Sequence, residues 1–107
     1  MSEAIKYMHS VGVCHRDIKA ENVIISDKNT VKIIDFGFSV RFTPDTGLRV
    51  FCGTSYYMPP EIVQKRQYNG FKSDIWSLGV LLYLMLTSTF PFKGCNDKEL
   101  FSRICTA

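Results

Sequence analysis

The stretch His15-Arg16-Asp17-Ile18-Lys19-Ala20-Glu21-Asn22 is the part of this chain that best predicts its fold and function. Within one short segment it combines a carboxylate, Asp17, with a lysine, Lys19, and an amide, Asn22. Together these groups can orient a hydroxyl, contact a phosphate and bind a metal ion. A second motif, Asp35-Phe36-Gly37, follows after a segment rich in β-branched residues. The two motifs, in this order, predict a single site built from both.

The residue types of both motifs suit phosphoryl transfer, in which a protein mainly positions groups and balances charge. We expect Asp17 to accept or orient the proton of a substrate hydroxyl, and Lys19 to contact the transferring phosphate. Asn22 and Asp35 would supply oxygen ligands to Mg²⁺, a hard cation that prefers oxygen. Each residue alone has a simpler interpretation, as a turn residue, an exposed charge or a cap. The co-occurrence of the motifs favours the catalytic interpretation of the set.

Length and composition predict one small globular domain. The chain has 107 residues, of which 46% are hydrophobic and 21% charged, and these proportions are typical of a folded protein with a single core. The formal net charge of +3 is mild. No basic run carries interleaved aromatic residues, so we expect no nucleic-acid partner.

The cysteines and the apolar segments exclude further classes. The four cysteines form no C-x-x-C pair, which argues against a zinc site. The N-terminal residues lack the apolar core of a signal peptide. The apolar run Leu78–Leu86 is shorter than the about 20 residues that a membrane span needs. We therefore expect reduced thiols, no membrane partner and an intracellular location, in the cytoplasm or the nucleus.

The hydrophobic pattern predicts a mainly α fold with a short β-hairpin. Val23–Ile25 and Val31–Ile34 flank the turn-rich residues 27–30 and predict the hairpin. Its two ends carry Asn22 and Asp35, which we expect to lie close together. The helices are predicted at Ala4–Ser10, ending near Gly12, and at Pro60–Val63, Asp74–Thr87 and Lys98–Cys105.

Two further segments carry expectations of their own. Residues 38–58 predict a long loop, which in a compact domain is usually functional or mobile. The helix predicted over Asp74–Thr87, capped by Ser73 or Asp74, is apolar almost all round and is expected to be buried on every side. A chain of 107 residues has little protein with which to surround it, so we expect the chain to be a piece of something larger.

These motifs resemble those of the eukaryotic protein kinase family, over nearly the whole chain. The first stretch is similar to the family's catalytic loop H-R-D-L-x-x-x-N, with Ile18 in place of Leu. Residues 53–61, Gly-Thr-Ser-Tyr-Tyr-Met-Pro-Pro-Glu, are similar to G-T-x-x-Y-x-A-P-E, with Pro59 where Ala is usual. Residues 74–79 are similar to the D-x-W-S-x-G that opens the family's buried central helix. The resemblance implies a partial kinase-like C-terminal lobe of α+β type, with residues 1–107 forming a single partial domain that lacks the N-terminal lobe.

The resemblance implies a serine/threonine protein kinase that transfers the γ-phosphate of ATP to Ser or Thr hydroxyls of a protein substrate, with Mg²⁺ as the metal. Lys19 and Thr54 both suit that substrate class. It also implies that Asp74 anchors the backbone of residues 15–22, called the catalytic loop below. An apolar stack would run through His15 and Phe36.

The same resemblance places Ile24 beneath the adenine ring, above Leu81 and Met85. Within the family, the motifs most resemble those of the calcium/calmodulin-dependent and AMP-activated-like group. Glu21 resembles a position that favours basic residues upstream of the phosphosite, although a single exposed glutamate is more often just a solvated surface charge. Glu61 would pair with an arginine beyond the chain.

Arg16 suggests control by a phosphorylated loop, because an arginine can hold a phosphate through two hydrogen bonds. Where related kinases often carry the phosphorylated threonine, this chain has Val50. We therefore predict that the usual switch is absent or displaced; the hydroxyls that remain are Ser39, Thr43 and Thr46.

Two function classes stay open from the sequence. The first is a serine/threonine kinase present as a fragment, because no glycine-rich phosphate loop and no V-A-I-K lysine occur. Without the N-terminal lobe, we expect the isolated chain to be inactive or very weakly active. The second is a non-catalytic remnant of a kinase lobe that acts as a protein-binding module. A third interpretation, chance motifs in an unrelated domain, requires several independent coincidences.

Overall fold

The structure, a computed structural model, describes residues 2–26, 30–42 and 47–106. Within these ranges it is a small α+β fold with four α-helices and two short antiparallel sheets. The helices are α1 (Ser2–Ser10), α2 (Pro60–Val63), α3 (Gly70–Thr87) and α4 (Asp97–Cys105). The strands are β1 (Val13–Cys14), β2 (Val23–Ile25), β3 (Val31–Ile33) and β4 (Val40–Arg41), and short 3₁₀ turns occur at Ala20–Asn22 and Ser55–Tyr57.

The predicted hairpin is confirmed. Strands β2 and β3 pair antiparallel, with Val23 opposite Ile33 and Ile25 opposite Val31. The turn-rich residues 27–29 lie outside the described residues. A second sheet, in which β1 pairs with β4, was not predicted, because two-residue strands are too short to show an alternating pattern. This second sheet holds the start of the 38–58 loop next to the catalytic loop.

The predicted start of the long helix is wrong by one turn. Helix α3 begins at Gly70, and its cap is Asn69, whose side chain accepts hydrogen bonds from the backbone N–H groups of Phe71 at 2.9 Å and Lys72 at 3.1 Å. Neither Ser73 nor Asp74 caps the helix, since both lie inside it and are buried. The Asp74 carboxylate instead contacts the catalytic loop.

The expectation that α3 is buried on every side is also wrong. Val80 and Leu81 are buried, whereas Leu82, Met85 and Leu86 are 54%, 67% and 77% exposed. The core lies on one side of the helix only, where Leu81 packs with residues of α1, of the catalytic loop and of the Ser55–Tyr57 turn; that cluster is Ile5, Ile18, Tyr57, Val80 and Leu81. A smaller cluster of Met58, Ile62 and Tyr68 lies beside α2.

The other predicted helices are confirmed within a residue or two. Helix α1 starts two residues before Ala4 and is followed by Gly12, whose positive φ of 81° is the left-handed geometry usual after a helix end. Helix α4 starts one residue before Lys98, and the side chain of Asn96 caps it. None of the described helices combines the length and the apolar character needed to cross a bilayer.

Candidate catalytic site

The Asp17 carboxylate is the centre of a cluster of side chains from two separate segments. The side chain is only 7% exposed and accepts a hydrogen bond from Thr54 Oγ1 at 2.9 Å. The same Thr54 oxygen accepts one from Lys19 Nζ at 3.0 Å, and Nζ lies 3.7 Å from Asp17 Oδ2. The Thr54 hydroxyl therefore bridges the lysine and the carboxylate. It brings residues 47–58, called the Thr54 segment below, against the catalytic loop.

Asn22 is fixed on the other side of Asp17. It is buried, and its Nδ2 donates to the backbone oxygen of Asp17 at 2.9 Å and weakly to Oδ2 at 3.5 Å. Because Nδ2 makes these donations, Oδ1 is the atom of the amide that remains to bind a metal ion. The N–H of Ile34 donates to the backbone oxygen of Asn22 at 2.8 Å. The hairpin thus brings the start of the Asp35 motif next to Asn22.

Asp35 lies at the end of this hairpin with an exposed carboxylate. Its φ is 59°, a left-handed conformation that aspartate tolerates better than most residues. Its Oδ1 accepts from the N–H of Gly37 at 3.2 Å, which holds the turn of the motif. The Asp35 carboxylate and the Asn22 amide both offer hard oxygen atoms, the donor chemistry that Mg²⁺ prefers.

Helix α3 holds the backbone of the catalytic loop through Asp74. This carboxylate is 1% exposed and accepts from the backbone N–H groups of His15 and Arg16, each at 2.9 Å, and it lies 2.9 Å from His9 Nε2. Arg16 has a φ of 69°, so this contact stabilises a loop residue in an uncommon conformation. The anchoring role expected for Asp74 is confirmed.

The apolar contacts beneath the site follow the alternation of strand β2. Val23 and Ile25 face Leu81 and Met85 across a cavity of about 260 Å³. Ile24 points to the opposite face of the strand and is 44% exposed. Val23 and Ile25 therefore lie between Ile24 and the pair Leu81 and Met85. The sequence analysis did not predict this layer.

The expected stack of His15 and Phe36 is also present. The two rings lie 4.8 Å apart, edge to face. His15 Nε2 lies 2.9 Å from the carbonyl oxygen of Ile34. These contacts connect the catalytic loop to the Asp35 motif.

The residues expected to bind substrate or to regulate the protein are more scattered. Arg16 Nε donates to the carbonyl oxygen of Phe38 at 2.6 Å. Glu21 is exposed in the 3₁₀ turn, and Glu61 lies partly exposed in the first turn of α2. Val50 is 59% exposed. Two of the remaining hydroxyl residues, Thr43 and Thr46, lie outside the described residues.

Two tyrosines that the sequence interpretation did not single out hold the site together. The hydroxyl of Tyr57 accepts from the N–H of Ala20 at 3.2 Å, and its carbonyl oxygen accepts from Ser77 Oγ at 3.0 Å. Burial raises the pKa of Tyr57 above its ordinary value. Tyr68 contacts both Arg16 and the Thr54 segment. The contacts of Tyr57 and Tyr68 join residues that are distant in sequence, so no local pattern predicts them.

The family model for the protein kinase domain matches residues 1–107. The chain is 46% identical, over 94% of its length, to a probable serine/threonine-protein kinase MARK-A of Dictyostelium discoideum. It is 48% identical over 94% of its length to sperm motility kinase Z of Mus musculus, and 47% identical over 88% to serine/threonine-protein kinase kin-29 of Caenorhabditis briggsae. The chain spans only 10%, 20% and 12% of these three relatives.

Proposed function

The chain belongs to the protein kinase family, and from that premise we propose that it serves the transfer of the ATP γ-phosphate to serine and threonine hydroxyls of protein substrates. The observation that carries the proposal is the bridge from Lys19 through Thr54 to Asp17, at 3.0 and 2.9 Å. It joins a cation, a hydroxyl and a carboxylate where the Thr54 segment meets the catalytic loop. The relatives named as serine/threonine kinases support this substrate class.

Asp17 takes the role of orienting the substrate hydroxyl and accepting its proton. Its carboxylate is held on one side by Thr54 and on the other by the Asn22 amide. Lys19 lies beside it and supplies positive charge for the transferring phosphate. Such a role needs the three side chains to be fixed before the substrate binds, and the hydrogen bonds supply that order.

The side chains present fit a nucleotide with magnesium. The oxygen of Asn22 and the carboxylate of Asp35 are hard donors, and the exposed face of Ile24 offers an apolar contact for a base. When bound, Mg²⁺ would supply positive charge that offsets the negative charge of the nucleotide's phosphates. Asn22 and Asp35 would hold it, and Lys19 would contact the nucleotide's phosphate.

Finer assignments are part of the same proposal. We assign the chain to the C-terminal lobe of the domain, within the calcium/calmodulin-dependent and AMP-activated-like group, on the resemblance of its motifs. Exposed Glu21 would favour a basic residue in the substrate. The four cysteines are free, which supports a reducing compartment, the cytoplasm or the nucleus.

The second candidate function is a non-catalytic lobe that binds a partner protein. The exposed apolar residues on one side of α3, Leu82, Met85 and Leu86, favour it. The two candidates differ in whether the Asp17 site is used at all.

A single-turnover assay tests the proposal. The chain, in excess over labelled ATP, is incubated with Mg²⁺ and a basic peptide that contains serine, and with the same peptide containing tyrosine. We expect weak, Mg²⁺-dependent label on serine and none on tyrosine. If neither peptide is labelled and the same chain binds a partner protein stably, the result favours the non-catalytic alternative.

A further inference from the structure

We propose that Tyr68 is a positioning residue that holds the Thr54 segment on the catalytic loop in place of a phosphate; this inference rests on the proposed kinase function. Tyr68 lies just before the Asn69 cap of α3 and is 4% exposed. It contacts the catalytic loop and the Thr54 segment at the same time. Val50 stands where related kinases often carry the phosphorylated threonine, and its side chain has no hydroxyl to phosphorylate.

The hydroxyl of Tyr68 connects the two segments directly. It donates to the carbonyl oxygen of Val50 at 2.8 Å and accepts from Arg16 Nη1 at 3.3 Å. The Cys52 sulfur lies 3.8 Å from the same oxygen. The oxygen therefore has one donated bond and two neighbouring donors, which matches the full capacity of a phenol.

The backbone of Tyr68 adds a second attachment. Its N–H donates to the carbonyl oxygen of Leu48 at 2.8 Å, and its carbonyl oxygen accepts from the N–H of Leu48 at 2.8 Å. Tyr68 thus contacts three alternate positions of the Thr54 segment, 48, 50 and 52. Thr54 is the next alternate position, and it carries the hydroxyl that bridges Lys19 and Asp17.

The contacts of Arg16 are those that a phosphate would otherwise organise. A phosphate on a loop orders that loop by pairing with an arginine. Here the guanidinium donates to the carbonyl oxygen of Phe38, the residue after the Asp35 motif, at 2.6 Å and to the Tyr68 hydroxyl at 3.3 Å. Through Tyr68, which donates to Val50, it is connected to the Thr54 segment. Burial raises the pKa of Tyr68, so the hydroxyl keeps the proton that it donates to Val50 at neutral pH.

The inference is tested by hydrogen exchange, measured by mass spectrometry on the unphosphorylated chain. We expect residues 47–54 to be protected in the unphosphorylated chain, and Tyr68→Phe to speed their exchange by roughly two- to tenfold, the effect of one lost hydrogen bond. Tyr7→Phe removes the same hydroxyl from a side chain that is 69% exposed and should change nothing. Protection that appears only after phosphorylation, or equal exchange in both variants, would overturn the inference.

A double-mutant cycle separates positioning through Arg16 from a purely local loss of packing. The change caused by Tyr68→Phe is measured in the wild-type chain and in Arg16→Gln, with Arg16→Lys as the second background if Arg16→Gln does not fold. We expect a smaller change in the Arg16 variant, because partners in one network couple. Additive effects would show that Tyr68 does not act through Arg16.

The readout also separates this inference from the proposed function. Exchange in the Thr54 segment requires neither ATP nor turnover. A chain without phosphoryl transfer that shows the Tyr68 effect refutes the function alone. A chain that transfers phosphate without that effect refutes the role of Tyr68 alone.

Discussion

At the scale of single residues, the Thr54 hydroxyl decides the geometry around Asp17. It donates to the carboxylate and accepts from Lys19 Nζ, so its removal leaves both groups without a common partner. We expect Thr54→Val, which keeps the shape but loses the hydroxyl, to lower phosphoryl transfer by roughly 10- to 100-fold, as displaced catalytic groups do. Thr54→Ser keeps the hydroxyl and is the matched control. Equal rates in the valine and serine variants would contradict this role.

Cys14 offers a residue-scale test that needs no substrate. Burial, followed by the nearby Asp74 carboxylate, raises the pKa of its thiol to about 12. At pH 8 the reactive thiolate is then present on the order of one part in ten thousand. We expect iodoacetamide to modify exposed Cys95 and Cys105 while Cys14 stays unmodified until the chain unfolds. Modification of all three at similar rates in the native chain would show that Cys14 is not buried.

At the scale of elements, the N-terminus of α3 depends on a close approach at Gly70. A Cβ atom there would contact Cys14 Sγ and lie 2.8 Å from Leu48 Cδ1. We expect Gly70→Ala to lower the free energy of unfolding by about 1–3 kcal/mol through overpacking. Urea denaturation measures the change.

Gly79 provides the matched control on the same helix. A Cβ atom there meets nothing within 4 Å. Gly79→Ala should raise the free energy of unfolding by up to about 1 kcal/mol, since alanine is the better helix former. If Gly70→Ala and Gly79→Ala changed the free energy of unfolding in the same direction, the close packing of α3 against β1 described above would be contradicted.

The sequence predicted elements where a pattern was long enough and failed where a contact is tertiary. The β-branched runs between Asn22 and Asp35 predicted the hairpin, and the resemblance of the motifs predicted that Asp74 anchors the catalytic loop. The start of α3 was misjudged because Asp74 has the residue type of a cap but binds the catalytic loop instead. Tyr68 had no local signal, because its partners lie 18 and 52 residues away.

At the scale of the whole molecule, the core covers only one side of α3. The chain measures 40 × 37 × 20 Å, so its thin dimension allows about two layers of secondary structure. The apolar residues on almost every side of α3 predicted full burial, but burial also requires protein around every side of the helix. The composition of a helix therefore reports its preferred environment, and the amount of surrounding chain decides whether that environment exists.

This one-sided core predicts self-association. Leu82, Met85 and Leu86 expose an apolar row, and such rows promote contacts between molecules. We expect light scattering to rise with concentration for the wild-type chain. The variant Leu82→Gln/Leu86→Lys should remain monomeric with its free energy of unfolding changed by no more than about 0.5 kcal/mol. A wild-type chain that stays monomeric at high concentration would contradict this prediction.

The most direct test of the central claim compares phosphoryl transfer by the wild-type chain and by Asp17→Asn. The substitution keeps the size of the side chain and removes the carboxylate that would accept the substrate proton, so single-turnover transfer to a serine peptide should fall by at least about 10²-fold. Glu3→Gln, an identical loss of charge on the exposed surface of α1, should leave the rate unchanged. Equal transfer by the wild-type chain and Asp17→Asn would contradict the assignment of this site to phosphoryl transfer.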